Sequence, residues 1–325
     1  MNKEELKEYF EENEELQEKV SKLADMIRNA NHVVIYTGAG ISTSAGIPDF
    51  RGPNGVWTCR DQGRKKPRSK KPWNLLEPTY GHMSIAKLID VGVAKYLVSQ
   101  NVDGLHVHSG VPLDKLSELH GNTNKEYCID CQKEYFRPFS CRNARRVNDH
   151  RTGRMCEECG GELHDSIINF NENLNKDHLN RAFEHSVKCD LAIVLGTSLR
   201  VDPAASLPLV PVKLRRGKLV ICNLQKTPKD HYASLILHGK TDQILKMLMK
   251  ELGIEVKSFK EVIMEKAQLI ENKKKEKKKN QKNKVQKQVN EKEKNEKKSS
   301  NTKSKSNPKM KPKSSKTLTK KPKKK

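Results

Sequence analysis

Four short apolar runs, each ending in glycine or small polar residues, constrain this chain most. His32-Val33-Val34-Ile35-Tyr36 ends in Thr37-Gly38-Ala39-Gly40, and Lys95–Ser99 ends in Gln100-Asn101. Leu191–Leu195 ends in Gly196-Thr197-Ser198, and Leu219–Cys222 in Asn223-Leu224-Gln225. A buried parallel strand followed by a glycine turn and a helix is the first half of a βαβ unit. In an open parallel sheet, ligands bind in the crevice beyond the strand carboxyl ends. Four such ends carrying hydrogen-bonding residues predict a large polar ligand there. The expected fold class is therefore α/β, a doubly wound, Rossmann-like parallel sheet.

The flanking segments fit that frame. Residues 3–29 are rich in Glu and Lys, with Leu16, Val20, Leu23 and Ile27 at spacings of three and four, which predicts an amphipathic helix. A last helix over Asp242–Leu252 closes the body. The stretch from Cys128 to about Asp165 has no long apolar run and holds five of the eight cysteines, so it reads as a small inserted module. The expected division is an N-terminal helix (1–29), a sheet-bearing domain (30–127 and 166–256), the module (128–165), and a linker with tail (257–325).

Charge sets the tail apart. Of a formal net charge of +24, residues 272–325 carry 24 Lys and 4 Glu. They contain only four apolar residues, Val285, Val289, Met310 and Leu318, too few to offset chain entropy. The chain reads as a near-neutral globular body with a disordered polycationic extension. Such a strand binds polyanions by counterion release, which points to DNA, RNA or chromatin ahead of an anionic membrane. Lys320-Lys321-Pro322-Lys323-Lys324-Lys325 also reads as a nuclear import signal. The plainer alternative is a solubilising tail. No apolar run approaches the ~18–20 residues of a membrane span, and the N-terminus has no apolar h-region, so a secretory signal is not expected.

Cys128-x2-Cys131 and Cys156-x2-Cys159 supply four thiolates, enough for a closed tetrahedral Zn²⁺ site. With every position filled by protein, such a zinc is structural. Cys141 has no CxxC partner and reads as a free thiol, and Cys59, Cys189 and Cys222 as core or loop residues.

Gly38-x-Gly40 after a strand is by itself a weak dinucleotide signal. The third fingerprint position holds Thr43, and where a dehydrogenase carries an acidic strand end, Asp49-Phe50-Arg51-Gly52-Pro53 forms a loop. Hydride transfer is weakened accordingly, which leaves a turn that offers backbone N–H groups to phosphates.

Taken together and in order, Gly38-Ala39-Gly40-Ile41-Ser42, Gly46-Ile47-Pro48-Asp49-Phe50-Arg51, Gln100-Asn101-Val102-Asp103, His120-Gly121-Asn122 and Gly196-Thr197-Ser198-Leu199 resemble the signatures of sirtuins, NAD-dependent protein-lysine deacylases. The resemblance runs from about Lys19 to Ile254, with the CxxC pairs where that family carries its zinc module. Gly55-Val56-Trp57-Thr58, Asp103-Gly104-Leu105-His106 and His150-x-Thr152-Gly153-Arg154 resemble the nuclear class IV branch that holds the sixth and seventh mammalian sirtuins. The leading helix and the cysteine spacing are nearer the seventh.

The resemblance implies NAD⁺ as co-substrate and Zn²⁺ as structural metal, held by Cys128, Cys131, Cys156 and Cys159. It implies that Gly38, Ala39, Gly40 and Thr43 line the pyrophosphate turn, and that Asp49, Phe50, Arg51 and Trp57 form a mobile cofactor loop. Gln100, Asn101 and Asp103 would surround the nicotinamide ribose, and Gly196, Ser198, Asn223, Gln225 and Thr241 the adenosine half. His120 would be the general base; an imidazole near ~6.5 accepts a proton at neutral pH. Expected products are free lysine, nicotinamide and O-acyl-ADP-ribose, and expected substrates acylated lysine proteins such as histones. A nuclear or nucleolar monomer, tethered to nucleic acid through residues 272–325, completes the expectation. His82, His106, His108 and His238 gain no such support and read as core or surface residues.

Two segments depart from the family pattern. Phe170-Asn171-Glu172 stands where many sirtuins read Phe-Gly-Glu in the substrate-clamping segment; Asn tolerates positive φ, which preserves the turn. Arg64-Lys65-Lys66-Pro67-Arg68-Ser69-Lys70-Lys71-Pro72 reads as a solvated loop, with nucleic-acid contact as the alternative. Two other functions stay open on the sequence alone: mono-ADP-ribosyl transfer on the same fold, and a nucleic-acid-binding scaffold with vestigial catalysis.

Overall fold

The computed structural model describes residues 4–143 and 146–302. In chain order, α1 (Asn13–Arg28), β1 (Val33–Thr37), α2 (Val56–Asp61), α3 (Tyr80–Asp90), β2 (Ala94–Ser99), α4 (Leu105–His108) and β3 (Leu116–Glu118) form the first half. The inserted strands are β4 (Lys125–Cys128), β5 (Glu134–Phe136), β6 (Arg151–Met155) and β7 (Glu162–Asp165). Then come α5 (Lys176–Lys188), β8 (Leu191–Leu195), α6 (Val210–Lys213), β9 (Lys218–Cys222), β10 (Leu235–Leu237), α7 (Thr241–Glu251) and α8 (Phe259–Thr302).

Six parallel strands lie in the order β10-β9-β8-β1-β2-β3, and a separate antiparallel sheet is ordered β5-β4-β7-β6. Every residue of β1 and β8 is buried, as a sheet covered on both faces requires. Alternate side chains divide between two cores. Val33, Ile35, Leu97, Ile193 and Val220 face α1, α3 and α7. Val34, Tyr36, Val98, Val194 and Ile221 face α5 and the turn at Leu207–Leu209.

Register positions the site. Thr37 pairs with Ser99 and with Leu195, Leu195 with Cys222, Ser99 with Glu118, and Cys222 with Leu237. The last residues of all six strands therefore form one row. Gly38, Gln100, Leu119-His120, Gly196, Asn223 and His238 come off a common rim, so turns distant in sequence share one crevice.

The leading helix begins at Asn13 instead of residue 3, because its buried stripe starts only at Leu16 and continues through Val20, Leu23, Ala24 and Ile27. Residues before it run as an extended strap: Tyr9 N–H donates to Leu224 O at 2.8 Å and Glu11 N–H to His238 O at 2.9 Å. The short strands β3 and β10 add to the four expected ones.

Within the linker and tail, the described segment Phe259–Thr302 is one continuous helix. Lys, Glu and Gln are good helix formers, and pairs such as Glu271–Lys275 at 2.7 Å support it at i,i+4. The described side chains from Ile263 onward are exposed, so the segment forms no core, as its composition requires. Residues 4–262 form one compact unit, and the described residues from Ile263 to Thr302 are a unit of their own. Met310, Leu318 and the 320–325 lysine cluster lie outside the described residues. Among the described residues, no helix is long and apolar enough to cross a membrane.

Candidate active site and metal centre

Two glycine turns meet backbone to backbone at the rim. Gly38 N–H donates to Leu195 O at 3.1 Å and Gly40 N–H to Gly196 O at 2.8 Å. A Cβ on Gly38 would stand 2.6 Å from Thr197 Cβ, and one on Gly40 would stand 2.7 Å from Gly196 Cα. Gly196 has φ +63 and meets Gly40 in return. Side chains are excluded at these positions because the two turns pack backbone against backbone. Thr43 and Thr241 close the edge of the turns, their hydroxyls donating to Gly40 O at 3.1 and 3.4 Å. Ala39 is half-buried in the same turn, and Ser198 half-buried two residues past Gly196.

Gln100, Asn101 and Asp103 follow β2 directly. Asn101 is buried; its amide donates to Gly38 O at 3.0 Å and to Ser42 Oγ at 3.3 Å. Asp103, also buried, accepts from Ser42 Oγ at 2.7 Å and from Leu105 N–H at 3.0 Å, which fixes the start of α4. His120 leaves β3 beside them. Its Nδ1 lies 3.0 Å from Gln100 O. A carbonyl only accepts, so Nδ1 carries the proton and Nε2 keeps a bare lone pair. Burial pushes the ring below its ordinary pKa, although the Gln100 contact opposes this. Neutral pH therefore finds His120 as a base.

The next two residues hold the imidazole in place. Gly121 has φ +81, and a Cβ there would be 1.8 Å from Ser166 O. Asn122, buried, donates to Glu118 Oε1 at 2.7 Å.

The loop at 49–57 forms the outer wall. Asp49 accepts from Gly52 N–H at 2.9 Å, Trp57 N–H donates to Phe50 O, and the Phe50 and Trp57 rings stack at 5.6 Å. Arg51 is partly buried; burial, helped by the nearby Arg200, lowers its pKa and favours an anionic partner. Gln225 joins this loop to the strap, its amide donating to Arg51 O at 3.2 Å and to Glu5 O at 2.9 Å. Asn223 in turn donates to Gln225 O at 2.8 Å. The cofactor residues named from sequence thus fall into two linked groups, one on the rim and one on the loop.

Sequence reading left His82 and His106 as core or surface residues, and they are core. Both are buried beneath the rim, and burial takes each to about 3. His82 completes the α3 capping box with Thr79, and its Nε2 reaches Ser42 Oγ at 3.4 Å. His106 Nε2 meets Thr37 Oγ1 at 2.9 Å. No motif marks them; only their place behind Ser42 and Thr37 does. Asn171 takes φ 69, so the turn expected of Phe170-Asn171-Glu172 forms. The basic cations Arg64, Lys65, Lys66, Arg68, Lys70 and Lys71 are exposed on a loop tied down by Lys70 N–H to Gly46 O.

At the end of β4 and in the turn after β6, the Sγ atoms of Cys128, Cys131, Cys156 and Cys159 all lie within 4.8 Å of one another. Cys128–Cys159 and Cys131–Cys156 sulfurs are 3.4 and 3.6 Å apart, and all are unbridged thiols. A tetrahedral zinc with ~2.3 Å bonds sets sulfurs roughly 3.8 Å apart, so the cluster fits that metal. Gly161 fits closely here: a Cβ would stand 2.1 Å from Asp130 Oδ2 and 2.9 Å from Cys128 Sγ. Cys59, Cys141, Cys189 and Cys222 are buried away from the cluster.

Comparison with known proteins agrees with this geometry. Residues 38–203 match the Sir2 family model. The chain is 42% identical over 254 residues to the NAD-dependent protein deacetylase SRT1 of Arabidopsis thaliana, covering 78% of this chain and 53% of that protein. It is 46% identical over 257 residues to NAD-dependent protein deacetylase sirtuin-7 of Bos taurus, covering 76% and 63%. The chain thus spans about half to under two thirds of these relatives. A solved complex of Sir2 with a p53 peptide and NAD⁺ superposes with a TM-score of 0.58 at 34% identity, covering 72% of this chain and 98% of that one. The chain belongs to the Sir2 family, the sirtuins.

Proposed function

We propose that this protein is an NAD-dependent protein-lysine deacylase. The observation that carries the reading is the His120 imidazole, set by Gln100 with Nε2 free, at a rim shared with Asn101, Asp103 and the glycine turns. Bound there, NAD⁺ supplies an activated ribose carbon with nicotinamide as leaving group. Ala39 and Thr43 receive its phosphates, Gly38 and Gly40 only letting the backbone come close because their own N–H groups are taken by Leu195 O and Gly196 O, and Arg51 offsets the charge. Asn101 and Asp103 fix the floor of the pocket through Ser42. Phe50 and Trp57 exclude water from its outer side, and His120 Nε2 takes a proton from a hydroxyl. Gly196, Ser198, Asn223, Gln225 and Thr241 form the wall for the adenosine half. Zn²⁺ on the four thiolates is structural, with no position left for substrate.

The finer reading is a nuclear or nucleolar enzyme acting on acylated lysines of histones or other nuclear proteins. Supporting it are the sirtuin-7 relatives and the +20 surplus of residues 272–325, which favours DNA or RNA. A monomer is the assembly proposed.

Incubation with acetylated histone peptide and NAD⁺ tests the reading. Nicotinamide release together with peptide deacetylation is expected. Label transferred from NAD⁺ to protein would favour mono-ADP-ribosyl transfer instead, and no release would reduce the chain to a scaffold.

A further inference from the structure

His150 stands between two carboxylates on different parts of the fold. Its Nδ1 is 3.2 Å from Asp165 Oδ1, at the end of β7. Its Nε2 is 3.0 Å from Glu172 Oε1, in the turn that follows the antiparallel module. Carboxylates only accept, and a neutral imidazole has one N–H. Both contacts are hydrogen bonds only when the ring carries two protons.

The turn so held borders the active site. Ile168 N–H donates to His120 O at 3.1 Å, so the segment runs beside the general base. Two residues on, Phe170 is 62% exposed, yet its ring lies 6.1 Å from Trp57 of the cofactor loop. An exposed apolar ring beside Trp57, two residues past the contact with His120, suits the aliphatic stem of an acyl-lysine. Glu172 organises the turn from within, accepting from Asn169 N–H at 2.6 Å and from its side-chain amide at 3.1 Å.

We propose that His150, as the doubly protonated imidazolium, is a positioning residue that fastens the 169–172 turn to the antiparallel module and so sets affinity for the acyl-lysine side chain. The inference rests on the deacylase reading above. The charged groups in contact with this ring are Asp165 of β7 and Glu172 of the turn; Arg142 of the preceding loop and Tyr127 of β4 interact in turn with those carboxylates. Arg142 Nη1 lies 3.6 Å from Asp165 Oδ1. Asp165 and Glu172 both raise the Tyr127 phenol, behind burial as the main cause, so Tyr127 stays neutral. Burial opposes charge on His150, but hydrogen bonds to Glu172 and Asp165 outweigh it and lift the ring above its ordinary value. A raised pKa means that the clip is complete at low pH and loses one hydrogen bond as pH climbs through it, above ~6.5.

The test compares full-length wild type with His150→Arg and His150→Gln, measuring kcat and KM for an acetyl-lysine peptide at saturating NAD⁺ from pH 6 to 9. In wild type, KM should rise roughly ten- to a hundredfold across the His150 titration, the worth of one charge-assisted hydrogen bond, with kcat little changed. Arginine keeps two donors at all pH and should hold KM low and flat; glutamine should keep it high and flat. The His150 ring, followed by NMR without substrate, should titrate above ~6.5. Parallel KM profiles in all three proteins, or a ring that titrates at or below that value, would overturn the proposal. Absence of nicotinamide release in wild type would overturn the deacylase reading instead, and the NMR titration would still decide the clip.

Discussion

His120 Nδ1 and the main-chain oxygen of Gln100 are 3.0 Å apart, and this contact decides what the opposite nitrogen can do. Gln100 is the first residue past β2, so the parallel register itself sets the tautomer. Substituting His120→Tyr should abolish deacylation, a loss of at least roughly a hundredfold by the usual worth of a general base. Zinc content and thermal stability should stay close to wild type. Because burial lowers the ring's pKa, the acid limb of kcat/KM should lie below ~6.5, with activity falling as pH drops through it. Retained turnover in the tyrosine variant would remove His120 from this role.

Gly121 tests how tightly the turn after His120 is specified. An added Cβ would meet Ser166 O at 1.8 Å in a left-handed backbone. Gly121→Ala should cost roughly 3 kcal/mol or more through strain and displacement, and lower Tm by several degrees. Gly153 is the control: it has φ +76 but nothing within 4 Å of its Cβ position. Gly153→Ala should cost only about 1–2 kcal/mol, from the backbone alone. Equal Tm losses in the two variants would mean that the Ser166 contact is not the cause.

Much of this was legible before any coordinates, for identifiable reasons. Strands β1, β2, β8 and β9 are buried on both faces and read as apolar runs, and the four thiols read from CxxC spacing. Leu116–Glu118 and Leu235–Leu237 were not legible, since three residues carry no period and their pairing is set by neighbours. His82 and His106 gave no local signal, because their roles come from Ser42 and Thr37, distant in sequence. The Gln225 bridge from Arg51 to Glu5 likewise depends on the strap crossing the rim. Residues 259–302 divide the two kinds of information: composition correctly excludes a core, while propensity produces a helix.

The cysteine cluster makes a contrast between two buried thiols. Cys128 has its Sγ in the four-sulfur group, whereas Cys141 does not, and burial holds the Cys141 thiol up at about 11. Cys128→Ser should remove bound zinc and melt the antiparallel module, because little apolar core supports it beyond Cys128, Cys156, Leu163 and Tyr135. Cys141→Ser should keep one zinc per chain, measured by elemental analysis. Full zinc in the Cys128 variant would contradict the assignment.

Deleting residues 272–325 should separate the tail from catalysis. Binding to nucleic acid should lose most of its dependence on salt, since the 24 lysines that displace counterions are gone. Turnover on a free acetylated peptide should change less than about twofold, because the rim and loop residues all precede the cut. If the shortened chain binds RNA with an unchanged salt slope, the exposed 64–71 loop becomes the contact surface instead.

Glu118 ends β3 two residues before His120, buried and accepting from Asn122. Burial raises its carboxyl to about 7; Lys125 opposes this but is already shared with Glu134 at 2.9 Å. The folded state thus prefers the protonated acid. That preference contributes stability fully below the unfolded value near ~4.3, and it is lost as pH rises through about 7. Glu118→Gln copies the protonated acid without titrating and keeps an oxygen for Asn122. At pH 5 the variant should match wild type within roughly 1 kcal/mol. At pH 8 it should be more stable by roughly 1–3 kcal/mol, the linkage value of a shift of this size. Urea unfolding at the two pH values gives the comparison. A stability difference that does not grow from pH 5 to pH 8 would show that Glu118 folds as a paired carboxylate, with Lys125 outweighing burial.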